Sequence, residues 1–533
     1  MPHIRIYRSG ELISEAECTT GEVLLSRISA EGIFLDAPCG GQGKCGKCLV
    51  QLAPEGEAVL ACKTIVTGDT DVYLPDEFVM TIAGAGDTSG SSNISQNLGV
   101  AIDIGTTTVV AHLTDLDSGA RIATASGVNA QRQYGADVIS RIQYCIDNGH
   151  ETLARLIQKQ LASLISEACR SSGADAGNIK YISIAANTIM EHLAAGFSPV
   201  GMGIVPFTTV SLFGEEMPMR EAFQYWDGPT LSDDARVYFA PAISAYVGGD
   251  ITAGMLAVEL EDNAGPVVYI DIGTNGEIAM KLGDKYLCCA TAAGPAFEGA
   301  EISMGMAAIN GAVNHVKWDG GLHFTVIGDV APRGLCGSGL LDTLAVLLET
   351  GAVDETGRLL DPDEIEHDIA AHIGEIDGKN VFWLTPPSSD DSSASGTAST
   401  SVVSSASLTS DSGVYVSASD IRKLQLAKAA IAAGIQTLLH HAGVSEDDVK
   451  LFVLAGGFGS FMDQYSAARI GLFPEGFLPL TNTVGNSAGE GASICVRSEP
   501  ARQTLLSIRE RCEYIELSTS IVFNEQFVEQ MMF

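Results

Sequence analysis

The chain is poor in positive charge. Its 30 Lys and Arg stand against 66 Asp and Glu, a formal net charge of -36, which disfavours the phosphate backbone of nucleic acids and the anionic surface of a membrane. It lacks any run of eighteen or more apolar residues. Its opening MPHIRIYRSGELISEAE alternates Ile4 and Ile6 with polar residues, without the apolar stretch of a secretion signal, so a soluble, cytoplasmic protein is expected. No G-x-x-x-x-G-K-S/T loop occurs, and GGDITAGM near Gly248 supplies no lysine for one, which argues against a P-loop nucleotidase. Cysteine is not scarce, but of the 12 present Cys18, Cys145, Cys169, Cys288, Cys289, Cys336, Cys495 and Cys512 are scattered while four crowd one segment. That distribution points to metal ligation beside ordinary buried thiols, not to a disulfide framework.

A chain of 533 residues with 46% hydrophobic residues exceeds one compact core, so two or three folding units are expected. Residues 1–82 form the first, because short alternating runs such as HIRIYR and DVYL flank a Gly- and Cys-rich loop, the pattern of a small strand-rich domain. Residues 83–97 (AGAGDTSGSSNISQN) read as a flexible tether, since their Gly, Ser and Asp content buries no apolar surface. From 98 to 533 strand-length apolar runs alternate with helical patterns such as ETLARLIQKQLASLISEAC, an α/β signature. The Ser- and Thr-rich stretch 386–413 is read as a disordered surface insertion, a linker between separate domains being the rival.

In DAPCGGQGKCGKC, Cys39, Cys45 and Cys48 form a C-x5-C-x2-C loop, and Cys62 follows in VLACKT. Four thiolates match the ligand count of a 2Fe-2S cluster, although a plant-type ferredoxin loop has four residues between its first two cysteines. Gly40, Gly41, Gly43 and Gly46 let the backbone wrap closely and aim amides at the sulfurs. A structural zinc site is the alternative, but its usual paired C-x2-C knuckles account for only half of this pattern.

Three Gly-rich turns follow strand-like runs. AIDIGTTTVV carries Asp103, Gly105, Thr106, Thr107 and Thr108; YIDIGTNGEIAM echoes it with Asp271, Gly273, Thr274, Asn275 and Gly276. Amides and hydroxyls in such turns hold phosphate oxygens, and an Asp at a strand end can hold Mg2+ through water. The matched pair could grip a polyphosphate from both sides and suggests two related lobes. VLAGGFGSF offers Gly456, Gly457 and Phe458 to border an adenosine, because an absent side chain lets a ring lie against backbone. Gly337, Ser338 and Gly339 in GLCGSGLLD add to that pocket, a helix cap being the plain reading of Ser338. Cys336 beside them reads as a buried apolar thiol.

The cysteine loop, the three turns and the segments NAQRQYGADVISRI, IAANTIMEHLAAG, AAGPAFEGAEISMGM, GLCGSGLLD, DIRKLQLAKAAI and VGNSAGEGA together resemble the reductive activators of corrinoid proteins. The resemblance implies a β-grasp 2Fe-2S ferredoxin domain fused to a two-lobed actin-like ATPase of the sugar-kinase and Hsp70 type. It implies that Co(II) in a corrinoid protein of a methyltransferase system is returned to Co(I), using ATP, Mg2+ and an external electron donor, as suits anaerobic metabolism. Plant-type clusters sit near about -400 mV and the cobalt couple lies lower, each ~59 mV costing tenfold in the equilibrium. ATP offsets that only through differential affinity for the states of the complex. Some members carry a small domain between tether and ATPase that is missing here, and IAANTIM has Ala-Ala where Gly is commoner, a change of packing. A homodimer is among the expectations.

Asp103 and Asp271 are the candidates for holding Mg2+ or orienting water, and no general base stands out. Glu298 and Glu301 are read as surface charges or as contacts to metal or partner. Arg132, Tyr134, Asp137 and Arg141 have helix-like spacing that suits an ion-paired face or a functional surface. Rival functions are electron donation to another low-potential metalloenzyme, a kinase with a regulatory ferredoxin domain, and an actin-like assembly protein.

Overall fold

The computed structural model describes residues 1–31, 33, 35, 37, 41, 43, 48–53, 56, 58–75, 94–273, 275–299, 301–386 and 413–533. Cys39, Cys45, Gly40, Gly46 and Thr274, most of the tether and nearly all of the Ser/Thr-rich stretch lie outside them. The chain divides into two units, the first running to Ala253 and including Ala488–Arg509, the second holding Gly254–Ser487 and Glu510–Phe533.

In the first unit the amino-terminal residues build a mixed sheet of five strands, in the order Glu11–Glu17, His3–Arg8, Thr70–Leu74, Leu49–Gln51, Ala58–Leu60. The first and last strands in sequence run parallel at its centre, and the helix Leu24–Ala30 supplies Leu24, Leu25 and Ile28 to the core. Ile4 and Ile6 are fully buried between exposed His3 and Arg5, the period-two pattern of a strand with one wet face.

The same unit contains a six-stranded sheet ordered Glu216–Pro218, Arg236–Phe239, Ile179–Ala186, Leu98–Ile104, Thr108–Asp115, Arg121–Val128. Leu98–Ile104 opens an antiparallel meander on one side and pairs parallel with Ile179–Ala186 on the other. The helix Glu151–Ser172 buries Leu153, Ile157, Leu161, Leu164, Ile165 and Ala168 and ends at Gly173, φ 75°, where a left-handed residue costs glycine nothing. Residues 94–97, assigned to the tether by composition, are hydrogen bonded here: the Ser95 amide donates to Asp115 Oδ2 at 2.9 Å and Asn97 Nδ2 to Asp117 Oδ1 at 2.8 Å.

The second unit repeats the plan. Val267–Ile272 opens the meander through Gly276–Leu282 and Lys285–Thr291, and pairs parallel with Leu451–Ala455, which is followed outward by Thr481–Thr483. The helix Ala418–Ala442 starts at a capping box of Ser417 and Asp420. Two three-stranded sheets complete the unit. In one of them Lys379–Thr385 pairs antiparallel with Val414–Ser417, so the chain enters and leaves the stretch 387–412 through neighbouring strands. Among the described residues no helix is long and apolar enough to cross a membrane.

Candidate functional site

In the first unit, the strand Leu98–Ile104 ends in the turn at Gly105–Thr107 and returns as Thr108–Asp115. Asp103 lies at the end of the parallel pair, opposite Ala185. Gly105 leaves no room for a side chain, since a Cβ would fall 2.9 Å from the Thr108 carbonyl oxygen. Three side chains brace this turn from beneath. Asn129 Nδ2 donates to the Gly105 carbonyl at 2.8 Å and its amide to the Thr107 carbonyl at 2.8 Å. Asn187, the N-cap of the helix Thr188–Ala194, donates to Thr106 Oγ1 at 3.2 Å. Arg141, with no exposed surface, donates to the carbonyls of Thr106 at 2.5 Å and Gly135 at 3.0 Å and to Gln131 Oε1 at 3.2 Å.

The segment NAQRQYGADVISRI therefore does not present Arg141 on a surface face. That residue is a buried fork reaching backbone carbonyls. Asp137 caps the helix Val138–Asn148 by accepting from the Ser140 amide at 2.7 Å, and Tyr134 packs on Tyr144 with ring centres 4.8 Å apart. Ala185 and Ala186 of IAANTIM are fully buried. Asn129 and Asn187 carried no functional reading in the sequence, although an Asn between a strand and a helix is a legible N-cap.

In the second unit, Asp271, next to last in the strand Val267–Ile272, lies beside Ala455 of the parallel neighbour, which brings the second and third Gly-rich turns together. Burial pushes its carboxyl up to about 6. Gly456 adopts φ +93°, and a Cβ there would lie 2.5 Å from Asp271 Oδ1 and 2.6 Å from the Ile272 carbonyl oxygen. Gly337 opens the helix Gly337–Glu349; a Cβ on it would overlap the Phe297 carbonyl and stand 2.7 Å from the Phe458 ring. Phe297 and Phe458 stack at 5.0 Å. Asp271, Gly456, Phe458, Gly337 and the loop at Phe297 thus form one cluster within this unit.

Ser338 is not the helix cap, a position held by Cys336; its hydroxyl donates to the Asn314 carbonyl at 2.8 Å. Cys336 is buried, its sulfur 3.4 Å from the Val313 carbonyl oxygen. The loop bearing Glu298 and Glu301 is tied down by DIRKLQLAKAAI: Asp420 accepts from the Ser303 amide at 2.9 Å, and Lys423 donates to the Glu301 carbonyl. Glu301 is exposed and Glu298 half-buried.

Of the four clustered cysteines, Cys48 is 1% exposed in the amino-terminal core and Cys62 packs at its edge, half-buried. Gly41, at φ +80°, lies against Cys62: a Cβ on it would stand 3.8 Å from Cys62 Cβ and 3.3 Å from Leu25. A glycine against Cys62, with the thiol of Cys48 in the same core, fits a cluster held by sulfur.

Comparison with known proteins bears on the whole chain. Residues 265–533, just over half of it, match the family described as the C-terminal domain of RACo, the ASKHA domain, and residues 98–263 match the RACo middle region. The corrinoid activation enzyme RamQ of Eubacterium limosum is 28% identical, covering 98% of either chain. The [Co(II) methylated amine-specific corrinoid protein] reductase of Methanosarcina barkeri is 24% identical over 82% of this chain and 77% of its own. A solved reductive activator for corrinoid, iron-sulfur protein superposes with a TM-score of 0.69 at 28% identity, over 100% of this chain and 98% of the other. With duplicated sheets, braced Gly-rich turns and an ASKHA domain in one polypeptide, this chain belongs to the family of reductive activators of corrinoid proteins.

Proposed function

We propose that this protein carries out ATP-dependent reductive activation of a corrinoid protein in a methyltransferase system, delivering one electron that returns Co(II) to Co(I) while ATP and water give ADP, phosphate and a proton. The observation that carries the reading is the reach of the likeness: RamQ aligns over 98% of the chain, so the cysteine-bearing domain and both lobes belong to one working unit. A 2Fe-2S cluster held by Cys39, Cys45, Cys48 and Cys62, when bound, supplies a low-potential one-electron carrier refilled by an external donor. The five-stranded mixed sheet with one helix is the order a β-grasp ferredoxin domain uses, which supports that assignment.

For the nucleotide, Gly105, Thr106, Thr107 and Thr108 offer amides and hydroxyls to phosphate, as do Gly273, Thr274, Asn275 and Gly276. Asp103 and Asp271 are the groups that would hold Mg2+ or orient the attacking water. Gly456, Gly457 and Phe458 border the adenosine, with Gly337, Ser338 and Gly339 beside them. Catalysis by such a site is positioning and charge stabilisation more than covalent chemistry. The protein, reduced and mixed with a Co(II) corrinoid protein, is expected to produce the visible spectrum of Co(I) with Mg·ATP and not without it. Equal reduction in both samples, or none in either, overturns the proposal.

Gly456→Ala tests the third turn. The new methyl group must displace the Asp271 carboxylate in a backbone conformation that L residues rarely adopt. Calorimetry is expected to show Mg·ATP affinity down at least about tenfold, with circular dichroism unchanged. Unaltered affinity would remove Gly456 and Asp271 from the site.

A further inference from the structure

Glu191 has no exposed surface, and neither of its carboxyl oxygens has a partner at good hydrogen-bond geometry, the Gly249 amide being the one donor close by. It projects from the helix Thr188–Ala194 toward the start of the helix Gly249–Ala257, where a Cβ on Gly249 would collide with Glu191 Oε1 and lie 2.6 Å from the Ala240 carbonyl oxygen. Gly248 packs as tightly on the other side, since a Cβ there would be 2.5 Å from both the Ala186 carbonyl oxygen and Asn187 Cα. The carboxyl group occupies the space that the missing Gly249 side chain leaves.

The titratable groups facing Glu191 are Asp250, on the helix it packs against, and Tyr238, on the strand Arg236–Phe239. Neither is a cation. Burial first, then the Asp250 charge, push the Glu191 carboxyl well above the usual range, outweighing the nearby Gly249 amide. A buried ionised carboxyl without a partner is among the costliest arrangements in a protein, and the group neutralises instead.

We propose that Glu191 is held as a neutral carboxylic acid that donates its proton to the Ala240 carbonyl, locking the first turn of Gly249–Ala257 onto the helix whose Asn187 cap holds Thr106. Glu191 is then a positioning residue for the phosphate-binding turn and touches no nucleotide itself. This rests on the nucleotide reading above only for its functional arm. In the folded protein the proton is retained, whereas the unfolded chain releases it from about pH 4.5 upward; the wild type therefore loses stability as pH rises, and Glu191→Gln, which cannot ionise, does not.

Infrared difference spectra of the full-length protein at pH 7, wild type minus E191Q, are expected to show the C=O band of a protonated carboxylic acid. The band should vanish at a lower pH in Asp250→Asn, where the opposing charge is gone. The thermal midpoint of E191Q should gain on the wild type between pH 5 and 8, as an unfolding constant that grows by up to tenfold per pH unit in the wild type alone requires. In the functional arm, E191A weakens Mg·ATP binding at least about tenfold, and E191Q recovers most of that loss. A carboxylate band at pH 7 with a pH-independent difference in midpoint would overturn the inference, because both arise only if Glu191 is ionised. Failure of the wild type to bind ATP would instead sink the nucleotide reading and leave the infrared result standing.

Discussion

Replacing Arg141 by Met is expected to abolish ATP-dependent corrinoid reduction while leaving iron content unchanged. The guanidinium is fully buried and is the donor to the carbonyls of Thr106 and Gly135 and to Gln131 Oε1. Met keeps much of the stem's volume but no donor, so the three oxygen acceptors lose a partner away from water, each at about 1–3 kcal/mol, and the weaker contact to Met190 Sδ at 2.9 Å goes too. Relief comes by moving the Thr106 turn, and a displacement of about 1 Å at a phosphate-binding group can cost on the order of a hundredfold in rate. Arg141→Lys should be nearly as damaging, because a point ammonium cannot replace a planar fork spread over three acceptors. Arg121→Met supplies the contrast: its pair with Glu490, at 2.7 Å, is partly in solvent and is worth under about 1 kcal/mol. The measurement is kcat and KM for ATP with a corrinoid protein as acceptor, beside thermal midpoints. If R141M behaved like R121M in both, the turn would not need its brace.

That burial at Arg141 was not legible in the sequence has a physical reason. Charged residues at helical spacing look the same whether they face water or a loop, and the Thr106 carbonyl is 35 positions away, with nothing local to announce it. Glu191 is hidden in the same way, as a polar letter in a short helix all of whose residues are buried. The recurrence of Asp-x-Gly-Thr was legible as two related lobes because it is local: a strand, a turn that forces glycine, and a returning strand. Both large sheets run in that order. The long helix Glu151–Ser172 was equally plain from the helical pattern of ETLARLIQKQLASLISEAC. What composition could not reach was the return of the chain's end, where Cys512–Tyr514 pairs parallel with Lys285–Thr291. A three-residue strand carries no period.

Cys62→Ala is expected to remove bound iron and acid-labile sulfide and to reduce corrinoid reduction to background, with Mg·ATP affinity within about threefold of wild type. Cys62 lies two residues beyond the strand Ala58–Leu60, in a turn closed by the Lys63 amide on the Leu60 carbonyl at 2.9 Å. Its neighbour Ala61 is fully buried, and Gly41 lies against the Cys62 Cβ. With one of four thiolates gone, a cluster loses a bond that water or a neighbouring side chain replaces poorly. Cys18→Ala is the internal control. Its thiol is buried, donates to the Pro2 carbonyl at 3.3 Å, and is shifted upward chiefly by burial, so it stays neutral and is no ligand. Retention of iron in C18A and its loss in C62A locate the cluster at the loop. Zinc without iron in anaerobically purified wild type would exclude the electron carrier altogether, because zinc has no redox chemistry to offer. Loss of iron together with unimpaired corrinoid reduction in C62A would separate the cysteine loop from the reaction, since the electron would then reach cobalt by another route.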